Sequence, residues 1–568
     1  MKTSKSFWLV KKEDVSQEEN FINKILIKSG YIYKNASGIY TYLPLGVKLI
    51  ENICKIINEE CKKIDASKLS FPSLVPTNVF DLCDRNELLG KSLYNVIDRN
   101  NKSYTLCPTH EELFAEIVKM KVKSYKDLHF ILYQISNKYR DEEKTNKGLI
   151  RKKEFLMFDA YSFDTDESGL DISYDNMYHV FKKIFRKLGL DTVVCTSDPG
   201  TMHAYLSEEF HVIGPYGEND IAKCTKCSFI SNIDIAEVKP EPKHKDKKIE
   251  KLKKVYAPNL KTIKDISDFF DVKEHQVLKT LIYKVNNRYK MILLRGTDEI
   301  NNAKLYRAFG TANFSLATED ELKRIGSTPG YVGPLKSTME IIADNAVKYM
   351  SNFITGSNEK NYYYQNVNIP FDFKVSRYMD LKQFDKNTKC PKCGSEIEML
   401  KGLEIGNIFK IGTAFTKKID ASYTNEKNEK NYIHMGSYGI GIDRCIYALA
   451  EKYHDNKGLT LPLSIAPYKV SIVIANVNDK ESKKYAENLY NKFMNDNIDT
   501  ILDDRKETLG VKLNDMELIG VPIIIIVGKS LNMNKVEIKI RTTDKKILID
   551  KNRIYNNIKE TIKKLNLS

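Results

Sequence analysis

Two arginines bracket a polar stretch of this chain: Arg140, in Tyr139-Arg140-Asp141-Glu142, and Arg151, with Phe155 shortly beyond it. The planar fork of an arginine donates parallel hydrogen bonds to a phosphate, and an aromatic ring beside it can stack on a base. A second constellation is HMGSYGIGIDRCIYALAE, residues 434–451, where Gly436, Gly439 and Gly441 precede Arg444. Glycines let backbone approach a ligand, and an arginine at a helix start can reach a terminal phosphate. A third is CPTHEE, residues 107–112, which places Thr109, Glu111 and Glu112 where a helix should begin. Cys224-x-x-Cys227 and Cys390-x-x-Cys393 form a fourth, with the paired spacing of a tetrahedral zinc site. Each has a plainer reading. These are a charged surface hairpin, a lone glycine-rich turn, acids that complement a helix dipole, and four unliganded thiols.

The elements that must position these residues can be sketched from pattern. Residues 139–163 read as a strand, a charged loop and a returning strand that carries Asp159. Residues 16–63 read as helical around a break at Gly30, and the spacing of Leu49, Ile53, Ile56 and Ile57 predicts a helix over 45–64. An extended run, Lys68 to Val75, holds Pro72 and so belongs at an edge or an interface. Thr109 is the expected N-cap of the helix that follows it. Residues 172–188 read as an amphipathic helix, and the charged, proline-containing stretch 238–254 reads as a boundary. Past residue 466, apolar strands such as VPIIIIVG (521–528) alternate with helices and predict a buried parallel or mixed sheet.

A chain of 568 residues has room for three to four domains. Hydrophobic content of 42% with 29% charged residues fits a soluble globular protein. No run nears the roughly 18 apolar residues of a membrane span, and no secretion signal opens the chain, so the expected setting is cytoplasmic. The net charge of +15 points to a polyanionic partner. A disulfide framework is not expected of the ten cysteines in that compartment.

The arginine-flanked loop resembles motif 2 of the class II aminoacyl-tRNA synthetases. The stretch Gly436–Arg444 resembles their motif 3, and the helix and strand around Gly46 to Pro72 their dimer-forming motif 1. Within that class the segments ASGIYTYLPLG (36–46), CPTHEE, KEFLMFDAYSFD (153–164), GLEIGNIFKIGTAF (402–415) and DDRKETLGVKLNDMELIGVP (503–522) are similar to the bacterial-type prolyl-tRNA synthetases over nearly the whole chain. The resemblance implies a multidomain α/β protein. An antiparallel-sheet catalytic core would span 1–235 and 386–462, an inserted α+β editing domain 236–385, and an α/β anticodon-binding domain 463–568. It implies a homodimer that takes ATP with Mg²⁺, proline and tRNA(Pro). Arg140 and Arg444 would be catalytic and, with Glu142, Arg151, Phe155 and Thr413, would bind ATP. Thr109, Glu111 and Asp159 would accept from the imino cation of proline, and Met157, Tyr161 and Phe409 would line its ring. In the insertion, Lys279, Gly330, Gly333, Pro334 and Asp344 would form a site that hydrolyses Ala-tRNA(Pro). The four CxxC cysteines (Cys224, Cys227, Cys390, Cys393) would hold a structural Zn²⁺. Arg505, Lys506, Glu507, Lys512 and Asp515 would lie in the anticodon-reading loop.

The chain departs from that family pattern at several positions. Lys144-Thr145-Asn146 stands where an Arg-Pro-Arg is usual, Asn407 and Asn361 where histidines are common, and Ser437 for a common cysteine. Two rival readings are a tRNA-binding paralogue without catalysis and a class II synthetase for threonine or histidine. The retained arginines and acids weigh against the first, and the proline-type segments against the second.

Overall fold

A computed structural model of the chain describes residues 1–7, 9–10, 20–145, 147–240, 248–260, 262–311 and 313–567. It forms two compact units. One holds Met1–Val194, Pro199–Glu218 and Gly402–Ser568; the other holds Cys195–Asp198 and Asn219–Lys401. Among the described residues no helix is long and apolar enough to cross a membrane.

The first unit is built on six strands: β1 (Ser67–Lys68), β2 (Phe130–Tyr139), β3 (Glu154–Asp164), β4 (Leu206–Ile213), β5 (Ile397–Gly412) and β6 (His434–Gly441). Their order is β4-β5-β6-β3-β2-β1, antiparallel except for the parallel edge strand β1. β2 and β3 are the two arms of the arginine-flanked loop, paired from Phe130↔Phe163 to Tyr139↔Glu154. Because strand side chains alternate between faces, Phe155, Met157, Asp159 and Tyr161 share one face of β3. The helix Glu167–Leu188 covers the other face and buries Met177, Val180, Phe181 and Ile184.

Several expectations are corrected here. The stretch 16–63 is not one broken helix, and its residues 16–19 lie outside the described set. A helix Phe21–Lys28 ends at Gly30, which takes φ 73°. A hairpin, Ile32–Ala36 with Ile39–Tyr42, follows, and only then the helix Pro44–Lys62. Gly38, at φ 74° in the hairpin turn, supplies the left-handed residue that the reversal needs. The extended run around Pro72 splits: Ser67–Lys68 joins the main sheet, whereas Leu74–Pro76 joins a small sheet with Tyr94–Ile97 and Ser103–Leu106. The boundary segment 238–254 is described only in part, since 241–247 lie outside the described residues, and Lys253–Tyr256 is a strand.

In the second unit, the strands Phe314–Leu316, Leu278–Val285, Arg288–Arg295, Glu340–Asp344 and Arg377–Met379 form a five-stranded mixed sheet in that order. The C-terminal part of the first unit carries another, ordered Thr500–Asp503, Val470–Ile474, Ile523–Val527, Lys535–Ile540 and Lys546–Asp550. Its first three strands are parallel and fully buried, as their unbroken apolar runs require.

Candidate active site

Register brings the chemistry together. Asn407, Gly439, Asp159 and Gln134 lie in one row across β5, β6, β3 and β2, and Phe409, Ser437 and Tyr161 in the next row of the same face. Beside them opens a cavity of about 220 Å³ lined by Arg140, Glu142, Arg151, Phe155, Met157, Glu404, Gly439 and Arg444. Five of the six residues expected on the nucleotide therefore meet in one place. The sixth, Thr413, does not line it; it lies past the end of β5, at the start of the helix Ala414–Ile419.

Each arginine is held differently. The Arg140 guanidinium stands 5.1 Å from the centre of the Phe155 ring and donates to the Pro108 carbonyl at 3.4 Å. Burial, then the like charge of Arg444, lowers its pKa. Two cations facing one cavity ask for an anion between them. Arg444 donates to Glu404 Oε2 at 2.8 Å and to the Ile150 carbonyl at 3.2 Å. Burial opposes its charge, but Glu404 outweighs this and holds its pKa above the ordinary value. Arg151 is anchored by Glu218, with its Nε 2.9 and 3.0 Å from the two carboxylate oxygens. The glycines serve packing as well as access. A Cβ on Gly439 would stand 2.4 Å from Met157 Cε, and one on Gly436 would stand 2.2 Å from the Tyr438 hydroxyl. Of the three, Gly439 and Gly441 line the cavity.

The remaining expected residues form a buried polar floor. Thr109 does not cap its helix. The helix begins at Glu111 after an N-cap at His110, and the Thr109 hydroxyl donates to Glu111 Oε2 at 2.6 Å. A carboxylate within reach outcompetes the backbone amide. Glu111 Oε1 also accepts from Tyr161 (3.1 Å) and Ser437 (3.4 Å). Asp159 accepts from Gln134 (3.0 Å), pairs with Lys138 at 2.8 Å and lies 3.2 Å from the Tyr161 hydroxyl, whose single proton is shared between it and Glu111. Both carboxylates are thus tied into the floor, Glu111 by three hydroxyls and Asp159 by Gln134, Tyr161 and Lys138. Phe409 is 7% exposed and packs in a cluster with Phe114 and Tyr161, whose rings are 4.3 Å apart. Lys138 can only donate, so His110 Nδ1, 2.7 Å away, must accept, and its Nε2–H goes to the Pro72 carbonyl at 3.3 Å. Burial, helped by Lys138, pushes the His110 pKa down to about 3 and keeps the ring neutral.

Sequence reasoning missed Gln134, Lys138, Arg85, Glu404 and Asp443. Gln134, Ser136, Lys138 and Arg140 alternate along β2 and its end, a period-2 polar row that could have been read. Asp443 is buried between Tyr42, Lys152 (3.2 Å) and the Leu156 amide (2.9 Å), and so ties the 32–42 hairpin to the cavity wall. Burial raises its carboxyl to about 7.

In the second unit a cavity of about 340 Å³ is lined by Lys279, Gly330, Val332, Thr355 and Gly356, among others. Lys279 donates to the Asp298 carbonyl and to Glu299, both at 2.8 Å. Gly333 packs directly on Gly356: a Cβ there would meet its carbonyl oxygen at 1.8 Å. Gly333, Pro334 and Asp344 do not line the cavity. Asp344 caps the backbone amides of Ala346, Leu381 and Lys382 instead. Asn361 takes φ 67° and accepts from Tyr331 at 2.9 Å. In the same unit Cys224, Cys227, Cys390 and Cys393 converge, with all four sulfurs within 4.8 Å of one another. Of the five residues expected in the C-terminal loop, only Lys506 and Glu507 are exposed. Arg505 is paired with Asp503 and Asp515, and buried Lys512 donates to the Ile474 carbonyl at 2.7 Å. Of the motif 2 loop, Asn146 lies outside the described residues.

Comparison with known proteins agrees with this architecture. The family model "tRNA synthetase class II core domain (G, H, P, S and T)" matches residues 94–453, and "Anticodon binding domain" matches 469–561. The proline–tRNA ligase of Caldicellulosiruptor bescii is 39% identical over 545 residues, covering 96% of this chain and 95% of its own. That of Aquifex aeolicus is 37% identical over 568 residues, covering 99% of each. A crystal structure of prolyl-tRNA synthetase from Cryptosporidium parvum with halofuginone and AMPPNP shares the fold at a TM-score of 0.58 and 15% identity, covering 96% of this chain and 76% of that one. With both domains matched and near-full-length relatives at this identity, the chain belongs to the proline–tRNA ligases of the class II aminoacyl-tRNA synthetase family.

Proposed function

We propose that this ligase makes prolyl-adenylate in the Arg140–Arg444 cavity and then passes proline to tRNA(Pro). The observation that carries the assignment of roles is the meeting of Arg140, Arg444 and Phe155 in one cavity, beside the sheet row whose Tyr161 donates to Glu111, which in turn accepts from Thr109. The proline carboxylate attacks the α-phosphorus, and the bond to pyrophosphate breaks. No general base is required, since the nucleophile is already an anion. Catalysis is alignment plus charge stabilisation. Arg140 grips the α-phosphate, Arg444 and Arg151 the far phosphates, and Phe155 stacks on adenine. Glu111 accepts from the imino cation, while Met157, Tyr161 and Phe409 wall the ring. Glu142, Glu209 and Glu404 line the same cavity. These are hard oxygen donors that suit Mg²⁺, whose contribution when bound is to neutralise the leaving pyrophosphate. Proline-dependent ATP–pyrophosphate exchange tests this reading.

The cavity around Lys279 is the proposed editing site for Ala-tRNA(Pro). A pocket shaped for proline rejects a smaller amino acid by only about 1–3 kcal/mol, so a second, smaller hydrolytic site supplies the missing selectivity. Lys279, which lines this cavity while its ammonium donates to the Asp298 carbonyl and to Glu299, would be the residue that excludes proline. The four cysteines fit a structural Zn²⁺. Cys224 and Cys393 sulfurs are 3.5 Å apart and those of Cys227 and Cys390 3.6 Å. Tetrahedral Zn–S bonds of about 2.3 Å call for sulfurs roughly 3.8 Å apart. The Lys226 and Cys227 amides donate to Cys224 Sγ at 3.3 Å, as a thiolate ligand favours. We also propose a cytoplasmic homodimer, supported by exposed Leu74, Val96 and Ile97 on the small sheet beside the motif 1 segment. Light scattering of the purified chain tests the dimer.

A further inference from the structure

Arg85 lies on a short helix, Arg85–Leu89, with no recognisable motif around it, yet its side chain is 1% exposed. Its guanidinium serves two neighbouring carboxylates at the start of the helix Glu111–Lys121. Nη1 is 3.4 Å from Glu111 Oε2, and Nε is 3.7 Å from Glu112 Oε1. The Phe415 ring stands 5.4 Å from the guanidinium carbon. The two acids are treated unequally. Glu111 accepts from the hydroxyls of Thr109, Tyr161 and Ser437. Glu112 is equally buried, but neither of its oxygens has a hydrogen-bond partner. One cation cannot balance two buried carboxylates, so one of them must hold a proton or draw a second cation.

We propose that Arg85, balanced by Glu112, is a positioning residue for proline recognition: it braces the Glu111 carboxylate as the acceptor for a secondary-amine cation. This rests on the reading of Glu111 as the imino acceptor. Glu112 acts as the spare acid. Burial is the chief cause, with Glu111 adding and Arg85 opposing, that pushes its carboxyl up to about 7. When Glu112 ionises, the site becomes more negative and the imino cation is held more tightly. Other charged or titratable groups facing this cluster are Tyr161, Cys83, Cys107 and His203, with Glu116 further along the helix. The Lys138–Asp159 pair lies on the far side of Tyr161.

The test measures KM for proline and for ATP separately by pyrophosphate exchange, from pH ~6 to ~8. Without Arg85 between them the two facing acids repel and Glu111 loses its position, so Arg85→Gln is expected to raise the proline KM by about 10-fold or more while the ATP KM stays within about two-fold. In Arg85→Gln/Glu112→Gln, which removes the competing acid along with the cation, most of the lost affinity returns. A residue needed only for folding would give no such recovery. If Arg85→Gln does not fold, Glu112→Gln alone decides, because it keeps Arg85 and nearly the same shape. The wild-type proline KM should fall as pH rises through ~7, and in Glu112→Gln it should be flat. A wild-type profile that Glu112→Gln leaves unaltered overturns the proposal, as does a double variant no better than folded Arg85→Gln. Glu111→Gln separates the two levels. If it leaves the proline KM unchanged, the reading of Glu111 fails. If it raises that KM while Arg85→Gln does not, only the role of Arg85 fails.

Discussion

Replacing Phe155 with alanine removes one wall of the cavity and leaves its phosphate ligands in place. The ring lies on β3 opposite Lys138, with Arg140 5.1 Å from its centre. A base stacked on an aromatic side chain gains about 1–3 kcal/mol. The cation–π contact with Arg140 contributes roughly 0.5–2 kcal/mol more toward holding that arginine in place. Loss of the stack alone should raise the ATP KM by roughly 5- to 150-fold. Phe155→Tyr keeps the ring face and should recover most of it. Exchange assays with ATP varied at saturating proline, and the reverse, read the two KM values independently. An ATP KM within two-fold of wild type, or a rise confined to proline, would refute the placement of adenine on this ring.

Four further outcomes are expected. Lys279→Ala should begin to deacylate Pro-tRNA(Pro) while pyrophosphate exchange is retained; if wild type and variant both leave Ala-tRNA(Pro) intact, the insertion is not an active editor. Cys227→Ser/Cys390→Ser should lose the bound zinc found by elemental analysis of wild type and lower the melting temperature, whereas a metal-free wild type would contradict the zinc site. Gly333→Ala forces a methyl into the Gly356 carbonyl and should destabilise the second unit by roughly 3 kcal/mol or more, read by urea unfolding. Asp455 is held at about 2, chiefly by its hydrogen bonds to Arg541. Its lowered pKa adds stability above the unfolded value near 3.8, and this is lost as pH falls from about 4 to 2. Asp455→Asn should therefore cost about 1 kcal/mol at pH 7, screening of the part-exposed carboxylate allowed for, and should flatten the acid limb of the melting curve between those values.

Much of the site could be read in the chain because its residues sit at fixed spacing on two or three strands. The arginines of the 139–155 segment, the alternation Phe155, Met157, Asp159, Tyr161 and the run Gly436 to Arg444 are local patterns, and strand geometry carries each to one face. Partnership across the fold was not legible. Nothing near Arg85 marks it as the cation between Glu111 and Glu112, and nothing near Glu404 pairs it with Arg444. Arg505 and Lys512, expected in the anticodon-reading loop, are engaged by Asp503, Asp515 and the Ile474 carbonyl, partners that the local sequence does not announce. Thr109 was the expected cap of a helix; its hydroxyl turns instead to Glu111, a stronger acceptor. The hairpin at 32–42 escaped notice because apolar spacing on either side of Gly30 favours a helix, while Gly38 allows the chain to turn back.

The central claim is that Arg140, Arg444, Phe155 and Glu111 together activate proline. Pyrophosphate exchange into ATP, run with each amino acid in turn, tests it most directly. The account predicts exchange that depends on proline, is abolished by Arg140→Ala and, for Glu111→Gln, is weakened through the proline KM. Exchange with threonine or histidine in place of proline, or none with any amino acid, would contradict it.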